Sequence, residues 1–243
     1  MSAATQSIPQ STIHNPHSAK LRIVIVGHVD HGKSTLIGRL FHDTNSLPDG
    51  KIEQIRKASE AEGMEFEYAF LLDALLEEQA QNITIDTTQL PFRTDKREYV
   101  IIDAPGHKEF LKNMVTGAAS ADAAILLIDA NEGIQEQSKR HAYLLSLLGI
   151  RQIVVAVNKM DLVNHRQERF DKVCSDYTEF LAKLGIEPLH FIPISAKLGL
   201  NITKNSPELS WHKGPPILEA LESLEIAVPA EGLPLRFVLQ DIY

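Results

Sequence analysis

Nine consecutive residues near the amino terminus carry the groups that a nucleoside phosphate needs. Residues 27–35 have the sequence Gly-His-Val-Asp-His-Gly-Lys-Ser-Thr, in which two glycines enclose four residues and precede Lys33 and Ser34. Glycines let the backbone curl around phosphate oxygens, Lys33 can reach the β- and γ-phosphates, and the Ser34 hydroxyl is placed for Mg²⁺. The segment therefore predicts a site for a nucleoside triphosphate and magnesium.

The residues on either side of this segment predict the elements that would hold it. Residues 21–26 form a short apolar run typical of a buried strand, and apolar side chains recur at helical spacing over residues 36–41. A strand would then lead through a tight turn into a helix, whose first N–H groups and dipole favour an anion. A chance glycine-rich turn is the weaker alternative, because strand, turn and helix all occur in the required order.

Two later segments carry groups that could act on the terminal phosphate of such a ligand. Asp103 follows an apolar strand, where a carboxylate can hold Mg²⁺ through its water shell, and Gly106 can bring its N–H close to the γ-phosphate. His107 stands either beside an attacking water or simply at the start of a helix, and its position alone favours neither. Thr84 is either a hydroxyl ligand of Mg²⁺ that senses the γ-phosphate or an ordinary strand threonine.

Residues 158–161, Asn-Lys-Met-Asp, follow another buried apolar strand and suit a guanine base. The Asp161 carboxylate can accept two hydrogen bonds, from N1 and the exocyclic amine of guanine, whereas adenine offers no such pair and would leave the carboxylate unsatisfied. Lys159 would lay its stem along the base. Residues 195–197, Ser-Ala-Lys, follow the last strand and give a weaker signal for a backbone N–H donor to the guanine oxygen.

Strand and helix patterns alternate along the rest of the chain. Apolar or alternating runs predict strands over residues 83–92, 99–102, 123–128, 153–157 and 190–194, whereas helical periodicity predicts helices over residues 51–62, 66–81, 135–148, 170–184 and 216–224. The order of the elements predicts an α/β fold with a mostly parallel central sheet and helices on both faces. One helix places Cys174 on its apolar stripe, so this thiol is expected in the core and not as a nucleophile.

The composition excludes several classes of protein. A net charge of −8 argues against sequence-independent nucleic-acid binding through a basic face, and 44% hydrophobic residues allow a sizeable core. The single cysteine rules out an internal disulfide framework and suits a cytoplasmic protein, and no apolar run reaches the length of a membrane span. Residues 1–20 lack the apolar core of a secretory signal and are expected to be a disordered leader, residues 21–228 the nucleotide-binding domain, and residues 229–234 a linker.

Taken in order, the segments at residues 27–35, 83–86, 103–107, 158–161 and 195–197 resemble those of the translation-factor-type GTPases, and the resemblance spans about residues 21–243. It implies a P-loop NTPase G domain that binds GTP or GDP with Mg²⁺ and hydrolyses GTP to GDP and phosphate. It also favours the water-positioning role for His107. The residues that it assigns to the nucleotide are Gly27, His28, Val29, Asp30, His31, Gly32, Lys33, Ser34, Thr35, Gly106, Asn158, Lys159, Met160, Asp161, Ser195, Ala196 and Lys197, and those that it assigns to the metal are Ser34, Thr84 and Asp103.

Two branches of this family share these motifs. Residues 36–44, 144–150, 158–163 and 211–222 resemble the large GTPase subunit of sulfate adenylyltransferase, which uses GTP to drive a catalytic partner that makes adenylyl sulfate. His31, in contrast, resembles elongation factor 1-alpha and elongation factor Tu, because the sulfurylase subunit commonly has a second aspartate at this place. The elongation factors carry aminoacyl-tRNA to the ribosome.

The sulfurylase branch is the first expectation, and the elongation-factor branch is the alternative. The matches over residues 36–44 and 144–150 are longer than the contrary matches at His31 and residues 240–243. Acidic residues also favour a basic protein partner over tRNA phosphates, and these are Glu60, Glu62, Glu65, Glu67, Glu77 and Glu78. Asn82 departs from the family, in which most members have glycine there. Both branches continue into two β-barrel domains, so residues 235–243 are expected to be the first strand of a truncated barrel.

Overall fold

A mostly parallel sheet forms the centre of the structure, which is a computed structural model. It describes residues 20–61, 63–82, 89–103 and 120–226, and for residues 77–82 and 103 it describes the backbone alone. Six strands lie within these ranges: β1 Leu21–Gly27, β2 Gln89–Arg93, β3 Glu98–Asp103, β4 Ala123–Asp129, β5 Gln152–Asn158 and β6 His190–Pro193. Their order across the sheet is β2-β3-β1-β4-β5-β6. The edge strand β2 runs antiparallel to β3, and the remaining neighbours are parallel.

Six α-helices lie within the same described residues. They are α1 Lys33–Asp43, α2 Lys51–Ala61, α3 Ala69–Asn82, α4 Glu136–Leu147, α5 Gln167–Ala182 and α6 Ile217–Glu222. There are also two short 3₁₀ helices. Met160–Val163 follows β5, and Pro207–Leu209 lies between β6 and α6. The predicted α/β fold with a mostly parallel sheet is therefore confirmed.

The side chains of the central strands alternate between two apolar layers. Ile23 and Ile25 of β1 belong to the layer that α1 and α6 share, whereas Val24 and Val26 belong to the layer that α4 and α5 share. All seven residues of β4 are buried, as expected for a central parallel strand with helices on both faces. The continuous apolar runs that the sequence shows in the central strands follow from this double burial.

The carboxyl ends of the parallel strands meet at one edge of the sheet. β1 ends at Gly27, and Asp129 at the end of β4 lies opposite Asn158 at the end of β5. In β3 the last residue, Asp103, pairs with Ile25. Loops that are far apart in the sequence therefore begin side by side, which is where open α/β sheets bind their ligands.

α3 begins at Ala69, three residues after the predicted start at residue 66. Residues 64–67 are not helical. The carbonyl of Tyr68 packs directly against Gly38 of α1, where an added Cβ would lie 1.9 Å from the carbonyl oxygen. The helix therefore begins beside a contact between two backbones, which side-chain periodicity does not indicate.

The other helix boundaries differ from the predictions by a few residues or less. Gly149 and Gly185 follow α4 and α5 with φ values of 74° and 66°, a conformation that glycine adopts without strain. Cys174 of α5 is half-buried beside the apolar layer, and burial raises the pKa of its thiol to about 12. The thiol therefore stays protonated at neutral pH, as expected of a core residue.

Some predicted elements lie outside the described residues. They are the strand residues 83–88, the leader at residues 1–19, and the linker and barrel strand at residues 229–243. Within the part of the chain that is described, no helix has the length and apolarity that crossing a membrane requires.

Replacing Gly38 by alanine should destabilise the protein, since the added methyl group would overlap the Tyr68 carbonyl and force α1 and α3 apart. Overpacking costs about 1–3 kcal/mol, and here it opposes a gain in helix propensity of about 1 kcal/mol. Because the clash is with backbone, we expect a net loss in the free energy of unfolding, measured in urea. Gly214→Ala is the control, because its added carbon would meet only the His212 ring. An unchanged unfolding midpoint for Gly38→Ala would contradict this packing.

Candidate nucleotide-binding site

The phosphate loop, residues 27–35, turns tightly between β1 and α1. Gly32 has a φ of 92° and is the N-cap of α1, which has no side-chain cap hydrogen bond. A Cβ added at Gly32 would lie 2.4 Å from Asn158 Nδ2, and one added at Gly27 would lie 2.9 Å from the Leu127 carbonyl oxygen. Both glycines are thus required by close packing, and the uncapped start of α1 suits an anionic ligand.

Asn158, at the end of β5, connects the phosphate loop with the loop after β6. Its Nδ2 donates to the His31 carbonyl at 2.9 Å, and its Oδ1 accepts from the N–H of Ala196 at 2.9 Å. Because Asn158 is only 2% exposed, both hydrogen bonds are made away from water. One buried amide therefore brings the predicted phosphate and base segments together.

Asp161 lies in the 3₁₀ helix Met160–Val163, which begins two residues after Asn158. Ser195 Oγ donates to Asp161 Oδ1 at 2.5 Å, and the Leu198 N–H donates to Ser195 Oγ at 3.2 Å. The half-buried carboxylate is therefore oriented by a buried hydroxyl. Met160 differs from its neighbours, because its side chain is fully buried in the apolar layer of α4 and α5.

The ammonium group of Lys159 pairs with a carboxylate that the sequence did not indicate. Its Nζ lies 2.8 Å from Oδ2 of Asp129, which is 1% exposed at the end of β4. Oδ1 of Asp129 accepts the N–H groups of Asn131 at 2.7 Å and Glu132 at 3.2 Å. Burial alone raises the pKa of the Asp129 carboxyl, but Lys159 and the two N–H groups outweigh burial, and the pKa lies below its usual value.

A cavity of about 520 Å³ opens between these segments. Its lining residues come from four places in the chain: Gly32 and Thr35 at the start of α1, residues 65–68 before α3, residues 197–198 after β6, and, at and after the end of β5, Asn158, Lys159, Asp161 and Leu162. Two residues of the predicted phosphate loop therefore line the same cavity as four of the predicted base residues, Asn158, Lys159, Asp161 and Lys197.

Residues 65–68 form a wall of this cavity that sequence reasoning missed, because the helical pattern continues through residue 66. The guanidinium of Arg39 lies 4.6 Å from the centre of the Tyr68 ring and pairs with Asp43 at 2.9 Å. It also packs against the backbone at Gly199, where a Cβ would meet Arg39 Nη2 at 2.2 Å. Arg39 thus supports both walls of the cavity that flank α1.

Two histidines near Lys33 are buried and neutral at pH 7. Nδ1 of His31 lies 3.2 Å from the Leu127 carbonyl, and Nε2 lies 3.4 Å from the Glu132 carboxylate. Burial lowers the pKa of His31, although the Leu127 carbonyl and the Asp129 and Glu132 carboxylates oppose the change. Burial, together with nearby Lys33, lowers the pKa of His141 to about 4. Neutral imidazoles add no positive charge to the surroundings of Lys33.

Four predicted residues contribute no side-chain geometry. Thr84, Gly106 and His107 lie outside the described residues, and Asp103 is described only in its backbone at the end of β3. Of the three predicted metal ligands, only Ser34 is therefore placed, in the first turn of α1. The metal role of Ser34 and the roles of these four residues stay predictions.

A strand, a glycine loop and an uncapped helix at the carboxyl edge of a mostly parallel sheet define a P-loop NTPase. The family model described as "Elongation factor Tu GTP binding domain" matches residues 19–227, and the chain belongs to this family. Its members bind GTP or GDP with Mg²⁺, which are the predicted cofactors.

Relatives named "Elongation factor 1-alpha" match almost the whole chain. The protein of Pyrococcus furiosus is 45% identical over 228 residues, 94% of this chain and 52% of the relative. That of Methanosphaerula palustris is 43% identical over 231 residues, 94% and 54% of the two chains. The chain thus spans about half the length of these relatives.

Solved structures show the same fold. Sup35 complexed with GDP has a TM-score of 0.59 and 26% identity, with coverage of 89% of this chain and 47% of that chain. The Saccharomyces cerevisiae Ski7 GTPase-like domain bound to GTP has a TM-score of 0.68 and 20% identity, with coverage of 85% and 50%.

The free energy of unfolding should depend on pH because the buried His141 has a lowered pKa in the folded chain. Its pKa of about 4 lies below the 6.5 of an exposed histidine, so the unfolded chain binds the proton more readily. The stability from neutral His141 is fully present above about pH 6.5 and is lost as the pH falls towards about 4.

His141→Gln should therefore lose less stability than the unmutated chain between about pH 7.5 and pH 5, measured as the free energy of unfolding in urea. Some pH dependence should persist, because burial also lowers the pKa of His31. His190→Gln at the edge strand β6 is the control. Equal pH dependence in the His141 variant and the unmutated chain would contradict this assignment.

Proposed function

We propose that this chain is the GTP-hydrolysing switch domain of a translation factor of the elongation factor 1-alpha type. The observation that carries the proposal is the junction at Asn158, which joins the glycine loop to the loop after β6 beside Asp161. The relatives described above are named elongation factor 1-alpha, which favours this function over the sulfurylase subunit that the sequence motifs favour. Aminoacyl-tRNA and the ribosome are the partners that this function requires.

The phosphate loop fits the phosphates of GTP, because Gly32 turns the backbone with a left-handed φ of 92° and the start of α1 has no side-chain cap. In the proposed complex, backbone N–H groups of residues 27–35 and the Lys33 ammonium bind the phosphates. The Ser34 hydroxyl would hold Mg²⁺, which neutralises charge on the β- and γ-phosphates. By family resemblance, Thr84 and Asp103 complete the metal site, Gly106 binds the γ-phosphate, and His107 positions water.

The guanine base belongs beside Asp161. Ser195 orients the carboxylate, which would accept the N1 and amine hydrogens of guanine. The N–H of Ala196 donates to Asn158 Oδ1 and that of Ser195 to the Leu200 carbonyl at 3.3 Å. We therefore assign the N–H of Lys197, which lines the cavity, as the donor to the guanine oxygen.

Asp161→Asn should exchange guanine for xanthine specificity. The amide keeps an oxygen for the Ser195 hydroxyl but replaces an acceptor by a donor, which suits the extra carbonyl of xanthine. The affinity for GDP should fall by ~10²-fold or more while xanthosine diphosphate becomes a ligand. Equilibrium titration with fluorescent diphosphates of guanosine, xanthosine and adenosine measures both changes.

Asp176→Asn on the exposed face of α5 is the control for this experiment, because it removes a carboxylate that pairs with Lys172 at the surface. It should bind GDP like the unmutated chain. Equal binding of adenosine and guanosine diphosphates by the unmutated chain would contradict the role of Asp161, and so would an Asp161→Asn variant that keeps its affinity for GDP.

A second candidate function is the GTPase subunit of sulfate adenylyltransferase. Residues 36–44, 144–150 and 211–222 support it by resemblance, and the exposed Glu60 and Glu65 suit a basic protein partner better than tRNA phosphates. Under this function the chain would drive adenylyl sulfate synthesis by a catalytic partner. The relatives described above support the translation factor instead.

The partner decides between the two functions. The full-length protein loaded with a non-hydrolysable GTP analogue should protect aminoacyl-tRNA from deacylation, whereas the GDP-loaded protein should not. In a second assay the full-length protein, with hydrolysable GTP or with GDP, is added to a purified sulfurylase catalytic subunit with ATP and sulfate, and adenylyl sulfate is measured. GTP-dependent synthesis of adenylyl sulfate without protection of aminoacyl-tRNA would replace the first function by the second.

A further inference from the structure

We propose that Asp129 is a positioning residue for the guanine nucleotide, because it holds the Lys159 side chain in place at the wall of the cavity. The proposal rests on the nucleotide site proposed above and adds a residue that belongs to none of the motifs. Asp129 reaches the site from β4, whereas the base motif follows β5.

The sheet register brings the two charged groups together. Asp129 and Asn158 lie opposite each other at the ends of adjacent parallel strands, and the N–H of Ala130 donates to the Asn158 carbonyl at 2.8 Å. Lys159 follows with a φ of 61°, in the left-handed region. From this conformation its side chain extends to Asp129 at 2.8 Å while Lys159 still lines the cavity.

Backbone hydrogen bonds hold the Asp129 carboxylate independently of its contact with the lysine. Its Oδ1 accepts two backbone N–H groups, from Asn131 and Glu132, and its Oδ2 is the atom that pairs with Lys159. The turn is closed further by the N–H of Gly133, which donates to the Asp129 carbonyl at 2.8 Å. The carboxylate therefore presents Oδ2 from a fixed position.

Fixing Lys159 in advance should strengthen nucleotide binding. A free lysine side chain loses rotamer entropy when a ligand orders it, and a preformed ion pair removes that loss from the binding step. The side chain of Asp129 is 2% exposed and that of Lys159 is 28% exposed, so the pair is shielded from water on the carboxylate side and reaches the cavity on the other. Released from Asp129, Lys159 would sample other rotamers, and a bound nucleotide would dissociate faster.

Asp129→Asn separates this role from the support of the turn. The amide keeps one oxygen for the N–H groups of Asn131 and Glu132, and its NH₂ group cannot pair with an ammonium. Asp122→Asn is the matched control, because Asp122 flanks the other end of β4 and accepts the Arg22 N–H there. Lys159→Met removes the charge and keeps a stem of similar length.

The test is a double-mutant cycle on the dissociation rate of fluorescent GDP from the 243-residue chain. Asp129→Asn should accelerate dissociation about tenfold and Asp122→Asn should leave it unchanged. In the Lys159→Met background, Asp129→Asn should cause no further acceleration, because Asp129 then has no side chain to position. If Asp129→Asn does not fold, as judged by urea unfolding, Asp129→Ser replaces it, since a hydroxyl can still accept the turn N–H groups.

The possible failures are distinguishable. If the accelerations of GDP dissociation in the two single variants multiply in the double variant, Asp129 acts through the turn and not through Lys159. That result would overturn this inference and leave the proposed function untouched. An unchanged rate for Asp129→Asn would do the same. If the unmutated chain binds no fluorescent GDP, the proposed function fails and this inference fails with it.

Discussion

The site depends on one buried side-chain amide, that of Asn158. A buried amide must satisfy both its donor and its acceptor, and Asn158 does so with backbone groups of two different loops, at His31 and Ala196. An aspartate could not donate to the His31 carbonyl, and an apolar side chain would leave both backbone groups without this partner. The requirement for complete hydrogen bonding therefore fixes the distance between the phosphate loop and the base loop.

The parallel sheet makes this amide possible. Only parallel neighbours bring the ends of β1, β4 and β5 to the same edge, so the loops that follow them share a surface. The same arrangement places Asp129 at the site, since Asp129 lies opposite Asn158 on the adjacent strand. Motif spacing along the chain cannot indicate such a pair, because the two residues belong to different segments that only the sheet brings together.

Sequence reasoning predicted the fold and most strand ends because burial on two faces leaves long apolar runs, as in β4 and β5. It also assigned the phosphate loop and residues 158–161 to one predicted nucleotide site, because both segments directly follow such strands. It missed Asp129, although the residue ends an apolar run as Asn158 does, since the partner that explains it comes from another strand. A search for polar residues at the ends of all buried strands would have included it.

Residues 65–68 were missed for a different reason. The helical pattern predicts a helix from residue 66, whereas α3 begins at Ala69, next to the contact between the Tyr68 carbonyl and Gly38. The order of the two branches of the family also differs between short segments and the whole chain. Short segments such as residues 36–44 resemble the sulfurylase subunit, whereas the relative that matches 94% of the chain at 45% identity is named elongation factor 1-alpha.

α1 connects these observations, because one short helix determines three sides of the cavity. Its N-terminus follows the phosphate loop, Gly38 one and a half turns later contacts the Tyr68 carbonyl, and Arg39 lies between the Tyr68 ring and Gly199. A helix is stiff over this length, so α1 cannot shift at the phosphate loop and leave these other contacts unchanged. The walls formed by residues 65–68 and by the loop after β6 are therefore held in register with the phosphate loop by the packing of α1.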